Sequence, residues 1–290
     1  MGMFLSLTVN GIVMGMVYAL LGLGLVLLLR AVGVTNFAQG DLLVLGAYIS
    51  HYAIVTLKLP ALPAILLIGL LLVAFGIIFM FTCYWPVRKN KWPQATLVCT
   101  LGASMLIPDL CMVIFGTQIK TMPPIANGSV RVAGAFLPYQ YFFIIAVCVV
   151  IVIAIFLLFD KLYVGKVMSA ASQNQYAAQL IGIPVTLTIM AIYILVMIVA
   201  GVAGWLVAPL FLVRSSLSSL QLKAFAGVVL GGLGDLKGAI IGSLIIGLLE
   251  AYSTYFTLEY MDAFVFLVLL LVLLIRPQGI FGAYAVSEKA

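Results

Sequence analysis

Residues 140–159 read QYFFIIAVCVVIVIAIFLLF, 20 consecutive positions without a charge. At about 1.5 Å of rise per residue a helix of that length just spans the roughly 30 Å of bilayer hydrocarbon. Comparable apolar runs fall at 8–29, 40–57, 63–83, 95–115, 186–211 and 238–257, with a last one at 262–275. Over all 290 residues, 66% are hydrophobic and 8% charged, with a mean hydropathy of +1.32. No soluble domain of this length has enough interior to hide that much apolar surface. The fold class that follows is all-α: a polytopic transmembrane helical bundle of about eight to nine spans.

One domain, residues 1–290, is expected, because no stretch of about 50 polar residues is available for a soluble appendage. The apolar start lacks a basic n-region and reads as a retained first span. The net charge of +6 does not indicate nucleic acid, since Lys and Arg sit singly between apolar segments, as membrane topology places them. Arg88, Lys89 and Lys91 mark one cytoplasmic loop, Lys161 and Lys166 another, and Arg276 and Lys289 the end of the chain. That puts the N-terminus outside and the C-terminus inside, which requires an odd number of crossings. The Gly-bearing stretch 223–233 is short for a full span and reads as a half-helix that supplies the missing passage. Cys83, Cys99, Cys111 and Cys148 lie in apolar runs, and His51 is the single histidine. Neither a disulfide framework nor a metal site is expected.

Two polar, glycine-rich breaks interrupt the apolar pattern, one in each half of the chain. The first is Gly33 to Asp41, containing Asn36, Gln39 and Asp41; the second is Gly231 to Gly238, containing Gly232 and Gly234. Non-helical backbone at membrane depth survives only against protein or a water-filled cavity, and paired breaks point to a transport site. The plainer reading makes both of them loops with turn glycines, and Asn36, Gln39 and Asp41 a helix cap.

The longest polar segment, about 161–184, holds Gly165, Lys166, Ser169, Ala170, Ala177, Ala178, Leu180, Gly182 and Ile183. Gly165 is expected to break the preceding helix, and Gly182 with Pro184 to end the next one. A short helix with Ala177, Ala178 and Leu180 on an exposed side calls for a protein partner, or for a place on the membrane surface.

With these stretches in view, the chain resembles the permeases of the branched-chain amino-acid ABC import family, of the high-affinity leucine/isoleucine/valine type. The resemblance runs in order through Asn10-Gly11, Gly15 to Leu20, Asn36 to Asp41, Gly165, Ala178 to Ile183, Lys223 to Gly234, Gly238 to Glu250, and Arg276 to Gly282. It implies a subunit that moves branched-chain or other small amino acids into the cytoplasm by alternating access, in a bacterial plasma membrane. It also implies a second permease subunit (a copy or a relative), two ATPase subunits carrying ATP-Mg, and an extracytoplasmic solute-binding protein. The 161–184 loop would dock on an ATPase. Relatives for urea, short amides and aromatic acids give the alternative substrates. Three departures stand out: Gln173 and Asn174 replace acidic residues, Gln39 stands where histidine is common, and Asp109 replaces an amide.

Asp109, behind Pro108, places a carboxylate in an apolar run at roughly 2.5–3.5 kcal/mol on insertion scales. It either lines the pathway or meets a substrate ammonium, or else hydrogen-bonds a neighbouring helix or sits nearer the outer interface. Glu250 ends the 238–257 run and is a candidate to receive a cationic group or to cap the pathway. No phosphate-binding loop occurs, because Gly165-Lys166 is followed by Val167, so ATP hydrolysis must come from partners and no catalytic or cofactor-binding residue is expected. Gly232-Leu233-Gly234-Asp235 matches an intramembrane aspartyl-protease signature, yet neither Asp109 nor Asp160 follows a tyrosine as the second aspartate would. Nothing resembles a channel filter.

Overall fold

The computed structural model describes residues 2–33, 35–88, 92, 94–132, 134–256 and 260–281. Lys89, Lys91, Gly282 and Lys289, used above for topology or resemblance, lie outside the described residues.

The chain runs α1 (Gly2–Val32), α2 (Gln39–His51) with a π-helical turn Tyr52–Thr56, α3 (Ala61–Phe79) with a second π turn Met80–Tyr84, and α4 (Ala95–Phe115). A small antiparallel hairpin follows, β1 (Ser129–Val132) and β2 (Ala135–Pro138), with Ser129 opposite Pro138. Then come α5 (Tyr139–Asp160), the short α6 (Tyr163–Gln173) and α7 (Gln175–Leu180), and α8 (Val185–Val207). A 3-10 turn (Ser215–Ser219) leads into α9 (Leu220–Gly231), then α10 (Leu236–Phe256) and α11 (Met261–Ile275). Pro60, Pro138 and Pro184 sit directly before α3, α5 and α8; each lacks the N–H that would extend its helix backward.

Among the described residues, six helices are long and apolar enough to cross a bilayer: α1, α3 with its π turn, α4, α5, α8 and α10. The multi-pass reading stands. Shorter segments lie beside these six: α11, which is apolar, α2 with its π turn, and residues 208–231. That last segment is longer than the 223–233 stretch expected. It begins near Val213, whose N–H donates to the Lys120 carbonyl beyond the end of α4 (2.9 Å), and it ends where the Ile280 N–H donates to the Leu230 carbonyl (2.8 Å). Only its second half is helix. One end of the bundle carries Arg30, Arg88, Lys161 and Arg276 and is called the basic end here; the other carries the β-hairpin.

Helix α1 is the axis of the bundle, buried along most of its length. Helix α10 lies antiparallel against it, with Gly15 and Gly247 in backbone contact, so a Cβ on Gly247 would land on the Gly15 nitrogen. Small residues permit such close approach, and the resulting dispersion contacts substitute for a hydrophobic drive that lipid does not supply. The outer helices α3, α4, α5 and α11 expose Leu66, Met105, Val150 and Ile275, as a lipid-facing surface requires.

Candidate functional site

Two breaks position the site: the expected one at Gly33–Asp41 and a second at 208–219, not at Gly231–Gly238. Helix α1 reaches the basic end at Arg30, and the chain then folds back so that α2 begins inside the bundle. The depth is fixed by Gln39, whose side chain occupies the space beside Gly24. From the opposite end, the 208–219 stretch folds inward and α9 begins at a similar depth. The two helix starts meet. The Gly40 N–H donates to Gln221 Oε1 (2.6 Å), and Gln221 Nε2 donates to the Asn36 carbonyl (3.4 Å). Asn36 also accepts the Ala38 N–H (3.0 Å) and donates to Gln39 Oε1 (3.3 Å), while Thr100 of α4 accepts the Phe37 N–H (3.3 Å). Asn36 and Gln39 therefore hydrogen-bond within the break, while α2 itself starts after Ala38 with no side-chain cap. Gln39 Nε2 is buried without a partner.

Beside this junction a cavity of about 700 Å³ opens on the side of the bundle between α4 and α9. Its polar lining is Asp41, Ser104, Asp109, the serines Ser215, Ser216, Ser218 and Ser219, and Gln221; its rim is apolar, with Leu101, Met105 and Leu222. Asp41, in the first turn of α2, is buried. Asp109 is exposed, within two turns of the hairpin end of α4. Two of the expected pathway residues thus come together here, although they lie far apart in the sequence.

The other expected pathway residues are elsewhere. Gly232 and Gly234 form the left-handed turn between α9 and α10 (φ +116° and +91°) at the basic end, where Arg30 Nε donates to the Gly234 carbonyl (2.6 Å). Asp235 caps α10 by accepting the Gly238 N–H (2.5 Å), with Arg30 at 4.0 Å. It faces a cation rather than a second carboxylate, which removes the geometric basis of the protease reading. Glu250 does not line the large cavity. It is buried among α1, α9 and α10: Lys223 Nζ lies 2.6 Å from Oε1 and the Tyr18 hydroxyl donates to Oε2 (2.6 Å). Asp262, at the start of α11, is a second partner of Lys223 at 2.9 Å.

The segment 161–184 forms a platform at the basic end. Helix α5 ends at Asp160, so Gly165 does not break it. Instead Gly165 lies within α6, and its missing side chain lets α6 close on the Leu158 carbonyl. Lys166 is exposed and Ser169 and Ala170 are half-buried. Asn174 caps α7 by accepting the Ala177 N–H (3.0 Å). Ala178 is buried against the bundle, contrary to its expected exposure; Ala177 and Leu180 are exposed. Tyr163, Tyr176, Leu180 and Ile181 are all at least 71% exposed. Gly182 (φ +84°) ends α7, and half-buried Ile183 leads to Pro184.

A multi-pass α-helical bundle with two facing half-helices and an apolar platform at its basic end has the anatomy of a transport permease. Residues 7–273 match the family described as branched-chain amino acid transport system / permease component, and the chain belongs to that family. It is 29% identical to the high-affinity branched-chain amino acid transport system permease protein LivH of Escherichia coli (strain K12), over 98% of this chain and 97% of that protein. It is 28% identical to the high-affinity branched-chain amino acid transport system permease protein BraD of Pseudomonas aeruginosa, over 98% of each. A solved chain described as PsaBC from Streptococcus pneumoniae in complex with Fab shares the fold. Its TM-score is 0.50 at 16% identity, over 93% of this chain and 91% of that one.

Sequence reasoning missed Ser215, Ser216, Ser218, Ser219 and Gln221 in the cavity, and Tyr18, Lys223 and Asp262 around Glu250. The run Ser215-Ser216-Leu217-Ser218-Ser219 was a usable signal, being four serines in five residues between the apolar passages 186–211 and 238–257. The Lys223–Glu250 pair, 27 residues apart, had none.

Proposed function

We infer that this chain is one permease subunit of an ATP-driven importer that carries branched-chain or other small amino acids into the cytoplasm by alternating access. The observation that carries the reading is the α6–α7 platform. Four large apolar or aromatic side chains stand exposed on the short helices at the basic end, where this chain does not cover them. A docking groove on an ATPase subunit accounts for them, and the full-length similarity to amino-acid permeases supports the same partner. ATP-Mg would bind on the two ATPase subunits and no cofactor on this chain, which works as a single domain with no catalytic residue of its own.

Charge supports the orientation. Arg30, Arg88, Lys161, Lys166, Lys237 and Arg276 belong to the basic end, against Lys58, Lys120, Arg131 and Arg214 at the hairpin end. The excess supports a cytoplasmic basic end, with the N-terminus outside and the C-terminus inside, and the permease relatives support a bacterial plasma membrane. An extracytoplasmic solute-binding protein would then deliver the amino acid at the hairpin end. A second permease subunit, a copy or a relative, would cover the open side of the large cavity.

Co-purification from the native membrane in mild detergent, followed by mass spectrometry, tests this. An ATPase bearing a phosphate-binding loop and a permease partner should accompany the chain, and the doubly substituted Leu180→Asp, Ile181→Asp chain should lose the ATPase. Purification without any ATPase in every detergent would refute the importer reading.

A further inference from the structure

We propose that a polar cavity at the basic end, between the close of α3, α7 and the start of α8, holds the phosphate group of an anionic phospholipid. Arg88, Tyr84 and the first turn of α8 bind the phosphate. The site lies away from the large cavity, and from the Tyr176 and Leu180 face of α7 assigned to the ATPase. It therefore goes beyond the function proposed above.

The cavity, of about 260 Å³, has Tyr84, Arg88, Gln175, Gln179 and Thr186 as its polar lining and no carboxylate. The Arg88 N–H donates to the Tyr84 carbonyl (3.0 Å), and the guanidinium stacks on Trp85, 3.1 Å from the ring centroid. Stacking covers one face of the guanidinium and leaves its N–H edge for an anion. Among the described residues that edge has no hydrogen-bond or ion-pair partner, whereas Arg30 at the same end has both Gly234 and Asp235. Tyr84 is only 7% exposed, yet its hydroxyl has no hydrogen-bond partner among the described residues. A buried hydroxyl without a partner is costly, and this one belongs to the cavity wall. The start of α8 adds a third set of donors. Pro184 gives it no side-chain cap, and its first helical bond runs from the Thr188 N–H to the Pro184 carbonyl (3.1 Å). The N–H groups of Val185 and Thr186, both in the cavity lining, therefore have no acceptor within the helix.

A guanidinium edge, two hydroxyls and the positive pole of a 23-residue helix thus present donors and positive charge to one space. A cation finds no opposite charge there, and a neutral ligand leaves Arg88 unpaired. Phosphate oxygens satisfy all of these donors. The surroundings identify the source of the phosphate. Trp85 packs on Phe81 (5.6 Å), and Ile78 and Phe81 of α3 with its π turn, and Leu187 in the first turn of α8, are exposed. A tryptophan beside an arginine at the end of an apolar helix marks the headgroup level of a bilayer. A phospholipid can seat its phosphate in the cavity while its tails lie along these apolar side chains. The Gln175 amide donates to the Ala31 carbonyl (3.3 Å), which leaves its oxygen to accept from a headgroup hydroxyl. With no carboxylate to receive an ammonium group, phosphatidylglycerol fits better than phosphatidylethanolamine.

The test uses the complex purified with the subunits that accompany this chain, stripped of lipid in detergent. It is titrated with phosphatidylglycerol or phosphatidylethanolamine, and bound lipid is counted by native mass spectrometry. The unsubstituted complex should retain phosphatidylglycerol in preference. Arg88→Ala should weaken that retention about fivefold or more, and Arg88→Lys should restore part of it. Tyr84→Phe keeps the ring beside Tyr193 (5.8 Å) and removes only the hydroxyl; it should weaken retention about threefold. Inorganic phosphate at the same concentration should not displace the lipid. Equal retention of phosphatidylglycerol by Arg88→Ala and the unsubstituted complex, or equal retention of the two lipids, overturns the site. Displacement by inorganic phosphate also overturns it, making the ligand a soluble anion. So does loss of a partner subunit from Arg88→Ala with lipid retention unchanged, which would make Arg88 a contact for that subunit's carboxylate.

Discussion

Lys223 and Asp41 carry opposite charges into the same apolar bundle, on the two half-helices whose starts touch, and the bundle treats them differently. Lys223 is enclosed by Glu250 at 2.6 Å and Asp262 at 2.9 Å, and the Tyr18 hydroxyl satisfies the second Glu250 oxygen. Asp41 faces a cavity with no cation beside it. The first arrangement ties α9 to α1, α10 and α11 and is a brace. The second ties no helices together through an ion pair among the described residues.

The largest expected effect comes from breaking the brace. Glu250→Ala takes away the shorter of the two Lys223 contacts and orphans the Tyr18 hydroxyl, at about 3–5 kcal/mol. In mild detergent this should appear as a large fall in thermal midpoint. The Lys223→Met, Glu250→Leu double variant should recover most of it, because removing both members of a buried pair is far less damaging than removing one. Next comes Gly247→Val, which forces α10 away from α1 and so separates Glu250 from Tyr18, at about 1–3 kcal/mol; the same melting experiment measures it. Tyr18→Phe deletes a single hydrogen bond to a carboxylate and should cost about 1.5–3 kcal/mol at most. Its effect should largely vanish in the Lys223→Met, Glu250→Leu background. Smallest of all for stability is Asp41→Asn, which should leave the midpoint unchanged or slightly higher, since Asp41 has no ion-pair partner among the described residues to lose. A midpoint drop in Asp41→Asn as large as that of Glu250→Ala would erase the distinction between the two clusters.

The sequence made the passages legible wherever apolar runs were long, because only helices satisfy the backbone in lipid. It also located the first break, but not its function. The first break was real and deep, with Gln39 at the level of Gly24. The second glycine-rich stretch, around Gly232 and Gly234, is an ordinary turn at the basic end. The true counterpart of the first break is the serine run at 215–219, polar but poor in glycine, and so invisible to a search for glycine. Asp109 was noticed because a lone carboxylate in an apolar run is conspicuous. Glu250 was noticed too, but its role depends on Lys223 and Tyr18, which only the antiparallel packing of α1, α9 and α10 brings to it. On the platform, Leu180 was rightly placed on the exposed side and Ala178 wrongly. Six residues of α7 are too few for periodicity to say which face meets the bundle.

The most direct measurement is leucine uptake into proteoliposomes holding the complete transporter, with Mg-ATP supplied or withheld on the side of the basic end. The account predicts accumulation against a gradient only when ATP is present and the binding protein is on the opposite side. Flux that runs down its gradient without ATP would contradict it and make the chain a passive pore.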